Sequence, residues 1–153
     1  MKTINEMLTE HPFFRDLPSQ YIELMAGCGS NVHFKKGVYI IKEGDDADYF
    51  YLIRKGKVTL EIYGAQRGPI IIQTMDEGDI LGWSWLISPH KWTSSAKALE
   101  ETSLIALDGK CLREKCEKDH ELGYELLKRF SQVMTSRLQW TRIQLLDLYR
   151  NSA

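Results

Sequence analysis

Short segments rich in valine, isoleucine, tyrosine and threonine recur every eight to twelve positions between Asn31 and Leu107, and this spacing constrains the fold most. Residues of these types favour strands, and turn residues separate the segments. The segments are VHF, VYIIK, YFYLI, KVTLEIY, PIIIQTM, SSAKAL and SLIAL. Glycine tolerates positive φ and marks the corners, at Gly37, Gly44, Gly56, Gly64, Gly68, Gly78 and Gly82. The pattern predicts a sandwich or barrel rather than alternating strands and helices.

Helical patterns flank the β segments on both sides. From Ile4 to Cys28, two helical stretches are punctuated by Pro12 and Pro18. After the last β segment we expect a short helix over 109–118 and a long one from Glu121 to Tyr149, about 43 Å in length. We therefore expect a single domain over 1–153, with N-terminal helices in 1–30, the β segments in 31–108 and C-terminal helices in 109–153.

Charge and composition exclude several classes of protein. The chain carries 20 Lys and Arg residues against 21 Asp and Glu residues, a formal net charge of -1. Proteins that bind nucleic-acid backbones usually carry a basic excess, so direct nucleic-acid binding is not expected. Glu6 and Glu10 fall where a signal peptide needs an apolar core, and no apolar run approaches the ~18 residues of a spanning helix. We expect a cytoplasmic chain without membrane contact.

The long helix carries an apolar stripe that persists to its C-terminal end. Its members recur at intervals of three, four or seven residues and are Leu127, Phe130, Met134, Leu138, Leu145 and Leu148. One small β domain cannot cover so long a helix, so we expect it to pack on its own domain and on a second copy. The alternative is a helix that only caps its own domain. The stripe thus predicts a homodimer through residues 121–149.

The cysteines and histidines do not form a pattern that indicates metal binding. Cys28, Cys111 and Cys116 are odd in number and include no CxxC pair, so we expect reduced, structural thiols. The histidines are scattered, without an HxH pair, at His11, His33, His90 and His120. A metal-dependent jelly-roll enzyme would need clustered ligands, and no P-loop or nucleophile elbow occurs either. We therefore do not expect an enzyme.

The stretch IIKEGDDADYFYLIRKGKV resembles the first half of cyclic-nucleotide-binding domains. The residues that carry the resemblance are Ile41, Gly44, Asp45, Tyr51, Ile53, Gly56 and Val58. GDILG, over 78–82, is similar to the entry into the family's phosphate-binding segment. The resemblance covers nearly the whole chain and is nearest to the catabolite activator (Crp/Fnr) type. It implies an α+β, mainly β fold: a β-roll, or jelly roll, with N-terminal helices and a long C-terminal helix.

The same resemblance implies a site that has lost its charged groups. In the family, backbone N–H groups and an Arg bind the cyclic phosphate, and a Glu accepts the ribose hydroxyl. Here the segment is GWSWLISPHKWTSSAKA, in which Trp83 replaces that Glu and Trp92 replaces that Arg. We expect cyclic AMP or cyclic GMP to bind weakly, or to be replaced by another small nucleotide-like ligand. His90 and Lys91 either supply a substitute cation or form a solvated loop pair.

Three of the four tryptophans, Trp83, Trp85 and Trp92, lie within a span of ten residues in this segment. Such a cluster either stacks on a ligand's flat ring or cation, or fills the emptied pocket, and the sequence leaves both possibilities open. The ligand-binding residues that we predict in the segment are Gly82, Trp83, Ser84, Trp85, Leu86, Trp92, Thr93 and Ser94.

A second group of candidate residues lies on the long helix. The run RLQWTR, over 137–142, is similar to the catabolite activator segment whose Thr-Ser pair contacts the adenine across the dimer. Thr141 matches the Thr, whereas Arg142 stands in place of the Ser. Arg137, Thr141 and Arg142 are therefore predicted to contact the ligand, although Thr141 alone is equally compatible with an interface role.

These observations lead to two functional hypotheses. The chain ends at Ala153, where the catabolite activator type continues into a helix-turn-helix domain, so we expect a stand-alone regulatory module that signals to a protein partner. The first hypothesis is a homodimeric ligand sensor. The alternative is a structural or interaction subunit with a tryptophan-filled pocket and no ligand.

Overall fold

The computed structural model describes residues 1–64 and 68–152, including side chains up to residue 151. The helices are α1 Ile4–Glu10, a 3-10 helix Pro12–Phe14, α2 Ser19–Ala26, α3 Gly109–Lys118 and α4 His120–Ser152. The strands are β1 Gly29–Phe34, β2 Tyr39–Ile41, β3 Tyr49–Lys55, β4 Lys57–Gly64, β5 Gly68–Asp76, β6 Ile80–Leu81, β7 Ser95–Ala98 and β8 Thr102–Asp108.

The strands form two antiparallel sheets of four. Their orders are β1-β8-β3-β6 and β2-β7-β4-β5. In the second sheet, Val58 pairs with Ala98 on one side and with Met75 on the other, and these side chains are at most 1% exposed. A register shift at Leu60 and Glu61 interrupts the β4–β5 pairing. The expected β-roll with N-terminal helices and a long C-terminal helix is confirmed.

The N-terminal helices bring aromatic side chains to strand β3. The ring of Phe50 is fully buried and makes edge contacts with Phe13 at 5.4 Å and Phe14 at 6.5 Å. His11 is also buried, and its Nδ1 accepts the Phe13 N–H at 3.2 Å. Its Nε2 therefore carries the proton and donates to the Ile53 carbonyl at 3.2 Å. Burial lowers the pKa of His11 from 6.5, although the hydrogen bond to Ile53 opposes this.

All seven predicted β segments contain a strand, but β6 is an additional one. Ile80 and Leu81 pair with Leu52 and Tyr51, and both are buried. β6 is only two residues long and lies between Gly78 and Gly82, two glycines that the sequence pattern marks as corners. This strand fixes where the segment that follows it, over 82–94, begins.

The expectation of reduced thiols is wrong for two of the three cysteines. Cys28 and Cys111 form a disulfide with their Cα atoms 5.8 Å apart, and Cys116 is free. An odd number of cysteines does not prevent one pair from forming, because pairing depends on distance in the fold. The Asp108 N–H donates to the Cys28 carbonyl at 2.9 Å, which brings the two cysteines together across 83 residues of sequence.

The described chain divides into two compact units, residues 1–115 and the segment that starts at Cys116. The second unit is dominated by α4, a helix of 33 residues. Its first turns are fully buried at Leu122, Leu126 and Phe130, whereas Leu138 and Leu145 are about half exposed. The predicted stripe is therefore divided between two surfaces of α4. Phe130 lies on the buried surface, whereas the leucines of the stripe lie on the exposed one: Leu127, Leu138, Leu145 and Leu148. No described helix has the length and hydropathy needed to cross a membrane.

Candidate ligand-binding site

The candidate segment covers residues 82–94 between β6 and β7 and is built from turns. The Leu86 N–H donates to the Trp83 carbonyl at 3.0 Å, and the His90 N–H donates to the Ile87 carbonyl at 2.9 Å. The resemblance implies a short helix here, whose free N–H groups would face a phosphate. In this chain two backbone N–H groups of the segment instead donate to carbonyls of the same segment.

Trp92 lies against Gly82, at the start of the segment. A Cβ atom placed on Gly82 would overlap Trp92 Cζ3 and stand 3.3 Å from Cε3 and Cη2. Gly82 has φ of +72°, a conformation that favours glycine. Trp92 is only 8% exposed, so its ring is held in this position by packing. The indole thus fills the space beside the Cα of Gly82, at the start of the segment that the resemblance implies for phosphate binding.

A short stretch of antiparallel pairing holds Trp92 in place. Its N–H donates to the Asp45 carbonyl at 2.9 Å, and its carbonyl accepts the Gly44 N–H at 2.8 Å. Lys91, next to it, forms an ion pair with Asp46, and the hydrogen bond to that carboxylate raises the Lys91 pKa. The backbone N–H of Trp92 and the cation of Lys91 are therefore already used within the protein.

Trp85 is part of the core. Its side chain is fully buried and stacks on Phe50, with ring centroids 5.6 Å apart and planes 17° from parallel. Its carbonyl accepts a hydrogen bond from Arg113 Nη1 on α3 at 2.5 Å. Gly109 also lies beside it, since a Cβ there would be 3.1 Å from Trp85 Cβ. The middle of the segment is thus held by β3 on one side and by α3 on the other.

The hydroxyl groups of the segment differ in their accessibility. Ser84 is buried, at 9% exposure, whereas Thr93 is exposed and Ser94 is half-buried. The next residue, Ser95, accepts the Glu43 N–H through Oγ at 2.9 Å. Thr93 and Ser94, together with the exposed Ser88, are therefore the hydroxyl groups of the segment that a ligand could reach from solvent.

A groove of about 280 Å³ borders Trp92. It is lined by Tyr39, Ile40, Ile41, Lys42, Asp45, Asp46, Asp48, Tyr49, Tyr51 and Trp92. The lining carries three carboxylates and one lysine, and the Lys91 ammonium pairs with one of these carboxylates, so the groove keeps a net negative charge and repels an anion. Burial raises the pKa of Tyr51 to about 12, with smaller contributions from Tyr49 and Asp48, so its phenol stays neutral. This groove suits a neutral or cationic group better than a phosphate.

The predicted residues of the long helix lie in the second unit. Thr141 is exposed, but its Oγ1 donates to the Arg137 carbonyl one turn earlier, at 2.9 Å. Arg142 is exposed and Arg137 is half-buried. The three residues share one stretch of α4, with Thr141 and Arg137 on the same face.

The residues that support the segment from outside have no motif in the sequence. Arg113 contacts Trp85 across 28 positions, and Asp46 pairs with Lys91 across 45. Neither pair has a spacing that a motif would reveal, because both depend on how the sheets fold back. The backbone hydrogen bonds that join Trp92 to Gly44 and Asp45 also cannot be recognised from the sequence.

Comparison with protein families matches residues 31–119 to the cyclic nucleotide-binding domain. The chain belongs to the cyclic nucleotide-binding domain family. The matched range runs from β1 to the end of α3, so it contains the whole segment over 82–94.

Among curated proteins, the chain is similar to a CRP-like cAMP-activated global transcriptional regulator of Mycobacterium tuberculosis. It is 26% identical over 145 residues, which are 95% of this chain but 63% of that protein. The chain thus spans under two thirds of that relative's length.

Two solved structures show how widely the fold is shared. A cyclic nucleotide-binding domain from Methylobacillus flagellatus is 22% identical with a TM-score of 0.78, covering 94% of this chain and 81% of that one. The regulatory subunit of a cAMP-independent protein kinase A from Trypanosoma brucei is also 22% identical, with a TM-score of 0.73 and coverages of 94% and 50%. At these identities the likeness concerns the fold alone.

Proposed function

We propose that this chain is a regulatory ligand-binding module in which cyclic AMP and cyclic GMP bind weakly by the family's usual mode or are replaced by another nucleotide-like ligand. The observation that carries the proposal is the packing of the Trp92 ring on Gly82. With Trp83 and Trp92 in place of the family's Glu and Arg, two charge-assisted hydrogen bonds are lost. Each is worth about 1.5 to 3 kcal/mol, so affinity falls by roughly two to four decades.

Local charge supports the same conclusion. The nearest cation in sequence to Trp92 is Lys91, and its ion pair with Asp46 would have to break before it could reach a phosphate. The groove beside Trp92 contains the carboxylates of Asp45, Asp46 and Asp48. Bringing a phosphate next to them adds repulsion to the loss of its partners.

A second candidate function is a structural or interaction subunit whose pocket is filled by tryptophan. Burial favours it: Trp85 is fully buried on Phe50 and Trp92 is 8% exposed, as expected of core side chains. In this case the module acts only through its partner surfaces.

We further propose that α4 forms the homodimer. A heptad pattern places Tyr124, Ser131, Leu138 and Leu145 at one core position and Leu127, Met134, Thr141 and Leu148 at the other. Five of these are large apolar side chains with exposures of 47 to 65%. Pairing two such helices would bury them, and it would place Thr141 in the seam.

The proposed module works by binding and signals to a protein partner in the cytoplasm. The fold is shared with the regulatory subunit of a cAMP-independent protein kinase A. We do not assign it an activity, nucleic-acid contact or membrane contact. Among the described residues, no cluster of three or more His, Cys, Asp or Glu side chains could hold a metal ion.

Thermal-shift titration with cyclic AMP, cyclic GMP and a panel of other nucleotides tests the ligand proposal. We expect no saturable shift from the cyclic nucleotides below about 0.1 mM, the range left after a loss of two decades from micromolar affinity. A saturable shift from another nucleotide, reduced by Trp92→Ala and unchanged by the matched control Trp140→Ala, supports a sensor. The absence of a shift with every nucleotide of the panel supports the filled pocket. Micromolar binding of cyclic AMP contradicts both the sensor with weakened cyclic-nucleotide binding and the filled pocket.

Sedimentation velocity tests the dimer separately. Leu138→Glu with Leu145→Glu places two charges in the proposed seam and should yield a monomer. Ile143→Glu is the matched control, because Ile143 is similarly exposed, at 49%, but lies outside both core positions. Equal effects of the seam and control variants, or a monomeric unmodified protein, would show that α4 does not form the dimer.

A further inference from the structure

The first turn of α3 is fastened to the rest of the β-roll unit at several points. Its Gly109 N–H donates to the Asp48 carbonyl at 2.8 Å, and the Cys111 N–H donates to Asp108 Oδ1 at 2.8 Å. Arg113 Nη1 reaches the Trp85 carbonyl at 2.5 Å. The Cys28–Cys111 disulfide adds a covalent connection to the end of α2. One turn of helix therefore joins the disulfide to the candidate segment.

Neither cysteine of the disulfide is fully buried. Cys28 and Cys111 are half-buried, in contrast to the fully buried Leu112 between Cys111 and Arg113. In a cytoplasmic chain, as proposed above, thiol reductants keep most cysteines reduced, and disulfides that do form are mainly transient or redox-sensing. A partly exposed disulfide in that compartment exchanges with the thiol pool rather than acting as a permanent crosslink.

We propose that Cys28 and Cys111 form a redox modification site whose state is transmitted through Arg113 to the segment over 82–94. The reductant is a thiol: its thiolate attacks one sulfur, the S–S bond breaks, and the other cysteine leaves as a thiolate that takes up a proton. A second thiol attacks the mixed disulfide. The protein gains two electrons and two protons, and the reductant leaves as its own disulfide.

Transmission follows from the geometry of α3. Cys111 and Arg113 are two residues apart in the same helical turn, so freeing Cys111 loosens the part of α3 that carries Arg113. Arg113 then holds the Trp85 carbonyl less firmly. Trp85 lies between Gly82 and Trp92 in sequence, so its mobility changes the surroundings of the proposed ligand.

Hydrogen exchange of the oxidised and dithiothreitol-reduced protein, without any nucleotide, tests the proposal. On reduction we expect peptides over 83–92 to exchange about tenfold faster, equivalent to about 1.4 kcal/mol easier local opening, while peptides of β4 stay protected. Oxidised glutathione should restore the slow exchange. In Arg113→Met the 83–92 peptides should no longer respond to reduction, although the 109–115 peptides should. Cys116→Ser is the matched control and should behave as the unmodified protein.

Three results would each overturn the proposal: a disulfide that dithiothreitol cannot reduce in the folded protein, unchanged exchange over 83–92 after reduction, or an equal response in Arg113→Met. The inference concerns the same segment as the proposed function, but its test uses no ligand. A failure in nucleotide binding and a failure in redox transmission are therefore separate outcomes.

Discussion

Replacing Gly82 with alanine tests the position of Trp92 directly. An L-residue at the observed φ of +72° costs about 1 to 2 kcal/mol of backbone strain. The new methyl group would also overlap the Trp92 ring, whose packing prevents it from moving away freely, and overpacking of this kind costs about 1 to 3 kcal/mol. We expect Gly82→Ala to lower the free energy of unfolding by about 2 to 5 kcal/mol.

Urea unfolding followed by far-ultraviolet circular dichroism separates the two contributions. In a Trp92→Leu background the overlap is relieved, so Gly82→Ala should then cost only the backbone strain, and a double-mutant cycle should give about 1 to 3 kcal/mol of coupling. Gly37→Ala is the matched control, since Gly37 has φ of +89° and nothing within 4 Å of a Cβ. If Gly82→Ala costs no more than Gly37→Ala, or the same in both backgrounds, the Trp92 ring does not lie on Gly82.

Three further predictions concern stability. Cys28→Ser with Cys111→Ser opens a loop of 83 residues, and the chain-entropy relation gives a loss of up to about 4.5 kcal/mol, to be compared by urea unfolding with Cys116→Ser. The pKa of His11 is lowered in the folded state, so the unfolded chain binds a proton on this side chain more tightly. The urea midpoint should therefore be constant above about pH 7 and fall as the pH drops below 6.5, the ordinary pKa of histidine. His11→Asn should make this fall smaller. Trp85→Ala should cost about 3 to 5 kcal/mol in the same assay, and a cost under about 1 kcal/mol would refute its place in the core.

The β segments are predictable because their pattern is local. The runs of β-favouring residues, such as KVTLEIY, and the glycine corners between them reflect preferences that a few neighbouring residues determine. The two-residue strand β6 has too few residues to show a period, so it could not be recognised between its glycines.

The candidate segment can be proposed from the sequence, but its internal arrangement cannot. The order of residues places Trp92 ten positions after Gly82; it does not say that the ring folds back onto that glycine. The same sequence left stacking on a ligand and filling of the pocket open, because an indole suits both environments.

The disulfide shows why counting cysteines is a weak guide. Cys28 and Cys111 are 83 residues apart and meet because β1 pairs with β8, bringing Gly29 opposite Leu107. That pairing is a long-range feature of the roll. The hydrogen bond from Arg113 to Trp85 depends on the same closure and was missed for the same reason.

We propose that tryptophan has replaced the charged groups that bind a cyclic nucleotide in the family. Calorimetric titration of cyclic AMP into Trp83→Glu/Trp92→Arg, which restores both charges, tests it most directly. We predict that affinity rises by about two to four decades over the unmodified protein, and that Trp140→Arg, which adds a charge at an exposed position of α4, changes nothing. Circular dichroism should first confirm that the double variant is folded. Unchanged affinity in the folded double variant, or micromolar binding by the unmodified protein, would contradict the claim.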